Sequence, residues 1–329
     1  MRILVTGATG FIGGTFSYEA SKKGYDVLGI DNFLNSERGT EKKLEKFKNF
    51  DFHELDLSIE SSKLKKLISD FKPNAIVHFA GLKAVAESER NQKIYWINNL
   101  QSTLNLLEVI KETNVGFVFS SSATVYGGIG REAISEDSKL MSQSAYGSTK
   151  LAQEILISDY ARAYGLNCVS LRYFNPVGCH TDKVIAENYL DSPNNLMPRI
   201  LRVAKSIDEK LMVFGNDYET IDGSGERDYI HISDLIDGHF SALKALHNLD
   251  GHNFFNLGTG KKTSVIELIK VFERINNLQI NYEIVGRREG DVEVCYADPT
   301  QAEKKLNWKA KKTIEEMCKD AWDAIKDGS

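Results

Sequence analysis

The heptapeptide SAYGSTK sets a tyrosine, Tyr146, four residues before a lysine, Lys150, at the head of LAQEILISDYARAYG, a segment with helical periodicity. Residues four apart on a helix share a face, so a phenol and an ammonium spaced this way can act on one proton. A phenol of ordinary pKa is a poor base at neutral pH. It becomes one only if that pKa falls by about three units, roughly 4 kcal/mol, and a neighbouring cation favours the phenolate. The chemistry that suits such a pair is removal of the hydroxyl proton of a secondary alcohol as its hydride leaves. Two amphipathic side chains on a solvated helix face have the same spacing, and the spacing does not separate the two readings.

Other motifs supply what that chemistry requires. TGATGFIGG follows the strand-like RILVT directly and places Gly7, Gly10 and Gly13 in a G-x-x-G-x-x-G pattern. Between a strand and a helix, the first glycine permits a tight turn and the second a close approach to a pyrophosphate. The third lets the helix pack on the sheet, and the helix N-terminus offers N–H groups to phosphates. KGYDVLGID ends at Asp31, near the distance at which a carboxylate accepts hydrogen bonds from an adenosine ribose. A carboxylate there repels a 2'-phosphate, and Asn32 and Phe33 bring no cation, so NAD is expected rather than NADP. An Asp that merely opens a turn is the competing reading. In FSSSATVYGG, Ser120, Ser121 and Ser122 follow a strand at the carboxyl edge of the sheet. There they either cap a turn or bring a hydroxyl beside Tyr146 and Lys150.

These residues need a frame. Apolar runs at 2–6, 26–30, 51–55, 75–79, 116–120 and 167–172 alternate with helical patterns at 11–23, 37–48, 60–70, 92–113 and 146–164. That rhythm predicts an α/β fold, a doubly wound parallel Rossmann sheet, joined to a smaller mixed α/β substrate domain. The first domain is expected at 1–175, rejoined by about 229–258 where FFNL reads as a returning strand; the second is expected at 176–329. Runs such as ILV and AIV are continuous, as in strands covered on both faces.

The 329 residues allow a sizeable core, and 42% hydrophobic with 26% charged residues suit a globular enzyme. A net charge of -5 gives no electrostatic reason to expect nucleic acid. Cys168, Cys179, Cys295 and Cys318 lack paired spacing and the histidines lack ligand spacing. No metal site, disulfide framework or membrane span is therefore expected, and a reducing, cytoplasmic setting is.

Together TGATGFIGG, Asp31, HFAGLKAV, FSSSATVYG, SAYGSTK and LRYFNPVG resemble the extended short-chain dehydrogenase/reductase family, and PNNLMP, VFGNDY, DGSGERDYIH, GRREGD and LNW carry the likeness through the second half. The resemblance implies the branch that inverts UDP-sugars at C4: tightly bound NAD, a UDP-sugar substrate and a homodimer paired through the helix near Ile94 and the helix of Tyr146. It implies Ser122, Tyr146 and Lys150 as the catalytic trio. For the cofactor it implies Phe11 and Ile12 with the three glycines at the phosphates and Asp31, Asn32, Asn35 and Ser36 at the ribose. Asp56 and Leu57 fall at the adenine, and Phe79, Ala80, Gly81, Lys83, Asn98, Ser120 and Phe174 elsewhere along NAD. For the UDP-sugar it implies Lys83, Ser122, Tyr146, Asn175, Asn195, Leu196, Met212, Val213, Phe214, Arg227, the stretch Arg288 to Asp291, and Cys295.

Dehydratases and decarboxylases of the same family carry acidic residues just after the position of Ser122, where this chain has Ala123 and Thr124. That departure favours epimerisation over both, and over an NAD-binding sensor that has abandoned catalysis. Cys295 falls where a bulky tyrosine restricts epimerases to plain hexoses, so UDP-N-acetylglucosamine and UDP-N-acetylgalactosamine are expected substrates too. A strand cysteine acting as a small hydrophobe is the alternative. His78, His231, Gly258 and Gly260 are read as structural.

Overall fold

The structure, a computed structural model, describes residues 1–59, 61–128, 130–190, 193–288 and 291–326. β1 (Arg2–Thr6), α1 (Phe11–Lys22), β2 (Asp26–Asp31), α2 (Thr40–Leu44), β3 (Phe50–Glu54), α3 (Ser61–Phe71) and β4 (Ala75–His78) alternate strictly. Then come α4 (Val85–Arg90), α5 (Gln92–Tyr95), a π-helical turn at Trp96–Leu100, α6 (Gln101–Ile110), β5 (Gly116–Ser122), α7 (Ala145–Tyr164) and β6 (Cys168–Tyr173). After them follow β7 (Asn175–Val177), α8 (Leu196–Ala204), β8 (Leu211–Phe214), β9 (Glu226–Arg227), β10 (Tyr229–His231), α9 (Ile232–Ala245) and β11 (His252–Leu257). The chain ends with β12 (Thr263–Ser264), α10 (Val265–Asn276), β13 (Tyr282–Val285), β14 (Val294–Cys295), α11 (Thr300–Leu306) and α12 (Ile314–Asp323).

Seven strands form one sheet in the order β11-β6-β5-β4-β1-β2-β3. β1 pairs in parallel with β2 and with β4, so strand order reverses at β1, the topological switch point where such sheets bind ligands. The continuous apolar runs have the expected cause: Ile3, Leu4, Val5, Ile76 and Val77 are wholly buried because helices cover both faces. FFNL lies in β11, the seventh strand.

Two helical expectations change. The pattern at 37–48 forms a helix only over Thr40–Leu44, behind Gly39, whose φ of 114° is left-handed. The segment 92–113 is α5, a π turn and α6 rather than one helix. Side-chain demand on Asn99 accompanies the π turn: its amide exchanges bonds with the Leu82 backbone at 2.8 and 3.1 Å and donates to Thr149 Oγ1 at 3.0 Å.

The chain divides into two compact units. The first comprises Met1–Val125, Ser144–Arg172 and His239–Phe255; the second comprises Tyr126–Gln143, Tyr173–Gly238 and the chain from Asn256 onward. In the first, Leu4, Ile76, Phe117, Phe119 and Ile157 belong to one buried cluster. In the second, Met197, Leu268, Phe272 and Met317 join α8, α10 and α12. Among the described residues no helix is long and apolar enough to cross a membrane.

α12 begins with a reciprocal cap: Thr313 Oγ1 accepts from Glu316 N at 3.3 Å and the Glu316 carboxylate accepts from Thr313 N at 2.8 Å. Thr313→Ala removes the first bond and should lower stability by about 1 kcal/mol. A denaturant midpoint that does not move in this variant contradicts the role given to the cap.

Candidate active site

Crowding dictates two of the three glycines after β1. Gly7 has a left-handed φ of 67°, and a Cβ there would lie 2.7 Å from Ala80 N; on Gly13 it would lie 2.1 Å from Gly7 O. A Cβ on Gly10 would meet only Gly7 O, at an ordinary 3.5 Å. Packing does not demand glycine at 10. This residue is the N-cap of α1, and its missing side chain leaves the first N–H groups of the helix, including those of Phe11 and Ile12, open to an anion.

Asp31, buried at the end of β2, accepts from Thr9 N at 3.0 Å, Phe33 N at 2.9 Å and Ser36 Oγ at 3.1 Å. These bonds fold the loop around the carboxylate, and an ionised carboxylate has about four acceptor positions, so one remains for a further donor. Asp56 accepts from Asn32 Nδ2 at 3.1 Å and from Ser58 N and Oγ at 2.8 and 2.6 Å. Burial pushes its carboxyl up, but these bonds outweigh burial and hold it below the usual range. Asn35 Nδ2 donates to Gly81 O at 3.1 Å. Gly7, Asp31, Asp56, Leu57, Ala80 and Asn98 line a cleft at the carboxyl ends of β1, β2 and β4. Phe79, packed against Phe16 and His239, and the exposed Lys83 lie outside that lining.

Arg38 brings a cation to this region that Asn32 and Phe33 do not. Its guanidinium stacks 4.2 Å from the Phe33 ring centroid and is held by both Glu54 oxygens at 2.7 and 2.9 Å. The pair is largely exposed and its charges offset each other.

Tyr146 and Lys150 lie in the first turns of α7, whose N-cap Ser144 accepts from Gly147 N at 3.1 Å. Tyr146 N donates to Ser88 Oγ at 3.0 Å, and the Tyr146 ring packs with Leu82 and Tyr95. Neither side chain faces water: Tyr146 is 9% and Lys150 4% exposed, which removes the solvated-face reading. Lys150 Nζ donates to Ser120 O at 2.7 Å and lies 6.0 Å from the Tyr146 ring centroid. Ser122 lies close enough to Tyr146 to favour the phenolate. Ser122 Oγ accepts from Thr124 N at 3.2 Å and Thr124 Oγ1 at 3.0 Å, so Thr124 orients this hydroxyl.

Burial dominates the electrostatics of the pair. Burial pushes Tyr146 up to about 12 against the lowering effect of Ser122, and pushes Lys150 down to about 7 against the raising effect of Glu154. Desolvation opposes charge on both groups, so the lysine alone does not make the phenol a base.

The second unit gathers another set. Phe174 is buried, its N donating to Leu257 O at 3.3 Å, and Asn175 N donates to Asp228 O at 2.9 Å at the start of β7. Met212, Val213 and Phe214 lie in β8, which pairs in parallel with β13. Arg227 is ion-paired with Asp291, and Arg288 Nη2 lies 3.6 Å from that carboxylate and over the Phe214 ring at 5.7 Å. Asp291 thus serves here as the anchor of two guanidiniums. Cys295 sits opposite Arg227 in the parallel β9–β14 register, its thiol pushed up to about 11 by burial and so protonated at neutral pH. Asn195 caps α8 without a side-chain bond to it, donating instead to Glu187 at 2.9 Å, and Leu196 opens the helix. Glu289 and Gly290 lie outside the described residues.

His78 is spanned by Thr6 Oγ1 at 2.6 Å and Thr103 Oγ1 at 3.0 Å. His231 is held by Asp320 at 3.2 Å and Ser233 N at 3.0 Å. Gly260 N, with Thr259 N and Ala297 N, turns around the buried Asp228 at 2.8–3.1 Å, a structural knot rather than a second nucleotide loop. Sequence reasoning missed Asn99, Arg38 and Glu154, and it named Thr124 only for lacking an acid, not for the bonds that it gives Ser122.

The chain matches the family model for GDP-mannose 4,6 dehydratase over residues 4–321. It is 43% identical over 328 residues to UDP-glucose 4-epimerase 2 of Arabidopsis thaliana, covering 97% of this chain and 93% of that protein. A crystal structure of UDP-glucose-4-epimerase from Stenotrophomonas maltophila, with bound NAD and formylated UDP-arabinopyranose, superposes with a TM-score of 0.95 at 36% identity, over 99% of this chain and 98% of that one. UDP-glucose 4-epimerase from Bifidobacterium longum, in complex with NAD+ and UDP, superposes with a TM-score of 0.93 at 38% identity, over 100% and 99%. With the strand order, the glycine turn and the Ser–Tyr–Lys trio, these likenesses place the chain in the extended short-chain dehydrogenase/reductase family, among its UDP-glucose 4-epimerases.

Proposed function

We propose that the protein interconverts UDP-glucose and UDP-galactose by reversible inversion at C4 through a transient 4-keto sugar, using tightly bound NAD. The observation that carries this reading is the buried Tyr146 phenol, beside Ser122 and one helical turn from Lys150. The residues fit NAD: Gly10 leaves the α1 N-terminus open to a diphosphate, Asp31 keeps acceptor capacity for a ribose, and the cleft they line continues to Asp56. When bound, NAD supplies the hydride acceptor and donor and a cationic ring.

The chain's own residues manage the proton and the sugar. Tyr146 takes the proton of the 4-hydroxyl and later returns it, Ser122 donates to the same sugar oxygen, and Lys150 adds positive charge close to the phenol. Arg227 and Arg288 suit a diphosphate, since guanidinium groups hold phosphate oxygens through charge-assisted bonds. Grip on the UDP moiety holds the keto sugar while the hexose stays free to present its other face. The absence of an acidic side chain at Ala123 and Thr124 argues against water elimination or decarboxylation, and retention of the whole trio argues against a sensor.

Cys295 broadens the sugar scope: a protonated thiol of small volume leaves room for an acetamido group, so UDP-N-acetylglucosamine and UDP-N-acetylgalactosamine are interconverted as well. The four free thiols suit a cytoplasmic setting. Exposed Ile94, Trp96, Ile97 and Ile155, on the two helices expected at the interface, support a homodimer.

Tyr146→Phe keeps the ring and removes the acid-base group. Turnover of UDP-galactose should fall by at least about a hundredfold. Near-normal turnover in that variant would overturn the catalytic assignment. For sugar scope, Cys295→Tyr should lower the ratio of acetylated to plain hexose turnover by roughly tenfold or more through steric exclusion. An unchanged ratio means that Cys295 does not set specificity.

A further inference from the structure

We propose that Glu154 is a positioning residue for the proton-transfer pair: its carboxylate, clamped by Ser121 and Arg172, keeps Lys150 charged beside Tyr146. The inference rests on the reading of Tyr146 and Lys150 as that pair. Tyr146, Lys150 and Glu154 follow one another at intervals of four on α7 and therefore share one face of the helix. Three successive serines at the end of β5 meet them. Ser122 lies beside Tyr146, Ser120 O accepts from Lys150 Nζ at 2.7 Å, and Ser121 Oγ donates to Glu154 Oε1 at 2.6 Å. Arg172 of β6 holds the other side of the carboxylate, with Nε at 2.9 Å from Oε1 and Nη2 at 2.8 Å from Oε2. The guanidinium also lies 4.6 Å from the Phe254 ring centroid. Both charged side chains are only 2% exposed, so the carboxylate has no water to turn toward.

A buried ion pair that only fastens β6 to α7 is the simpler account. Its place argues for more. Lys150 is almost fully buried, a setting that disfavours its ammonium, and the group that raises it is Glu154. The other titratable groups around the pair do not share that task. His78, from β4, is buried and pushed down to about 3, hence neutral. Tyr95, from α5, is pushed up by burial and engages Glu87, and Arg172 has the wrong sign. An ammonium in this position is what favours the phenolate in each half-cycle, so the ion pair is coupled to proton transfer through Lys150.

Two variants of the full-length, cofactor-loaded protein test this. Glu154→Gln keeps the shape and removes the charge; adding Arg172→Met removes the guanidinium left unpaired, which protects the fold where the single variant loses it. Lys150 is followed by NMR of side-chain 13C-labelled lysine, assigned with Lys150→Met, and turnover of UDP-galactose is followed against pH. In both variants the Lys150 titration should move to lower pH by about one unit or more, and the alkaline limb of kcat should move with it, because a more easily lost proton is lost earlier as pH rises. Thermal stability should fall in the single variant and recover in the double one. A titration unchanged in both variants, or restored together with stability in the double variant, overturns the proposal and leaves a structural ion pair. Shifted titrations in a protein that turns over no UDP-sugar in its unsubstituted form would instead sink the epimerase reading while the role of Glu154 in charging Lys150 stands.

Discussion

The register between the end of β5 and the first turns of α7 is the constraint on which the rest of this molecule depends. Side chains alternate along a strand, so Ser122 presents its hydroxyl to Tyr146 while Ser121 reaches Glu154 and the Ser120 carbonyl receives Lys150. A slip of one residue would exchange these partners and leave Lys150 and Glu154 buried without theirs. The surrounding architecture serves that register. Ser144 starts α7 at the required residue, Ser88 fixes the Tyr146 amide, and the π turn turns Asn99 toward Thr149 on the same helix.

That arrangement is electrostatically costly. A phenol and an ammonium share a setting in which burial opposes charge on each, and they are held ready by hydrogen bonds rather than by solvent. The cost fits a base that must work in both directions: a phenol left easily ionised would keep the proton poorly, and one without a cation would never release it. A cationic nicotinamide ring bound beside the phenol would add to the bias that Lys150 supplies. The second unit makes the complementary choice. Asp291 gathers Arg227 and Arg288 and holds two guanidiniums together.

Much of the frame was legible because it depends on local rules. Continuous apolar runs announced strands buried on both faces, and the spacing of Gly7 and Gly13 announced a turn that tolerates no Cβ. Tyr146 and Lys150 were legible as a pair because four-residue spacing on a helix is geometry. What escaped depends on partners distant in sequence. Glu154 looks like any helix glutamate until Arg172 and Ser121 meet it, and Arg38 shows its purpose only when Glu54 and Phe33 flank it. Asn99 is hidden in a segment whose periodicity reads as unbroken helix, because the π turn is stabilised by contacts to Leu82 and Thr149 rather than by local propensity. The desolvation around the phenol is hidden for a related reason: a sequence shows the neighbouring charge but not the burial that opposes it.

The central claim is that hydrogen leaves C4 of the sugar and returns to the same carbon within one closed cycle. UDP-galactose carrying deuterium at C4, incubated with the protein in ordinary water and without added cofactor, tests it directly. The account predicts UDP-glucose with the deuterium retained at C4, seen by NMR and mass spectrometry. Product carrying solvent hydrogen at C4, or a dehydrated or shortened sugar in place of UDP-glucose, would contradict it.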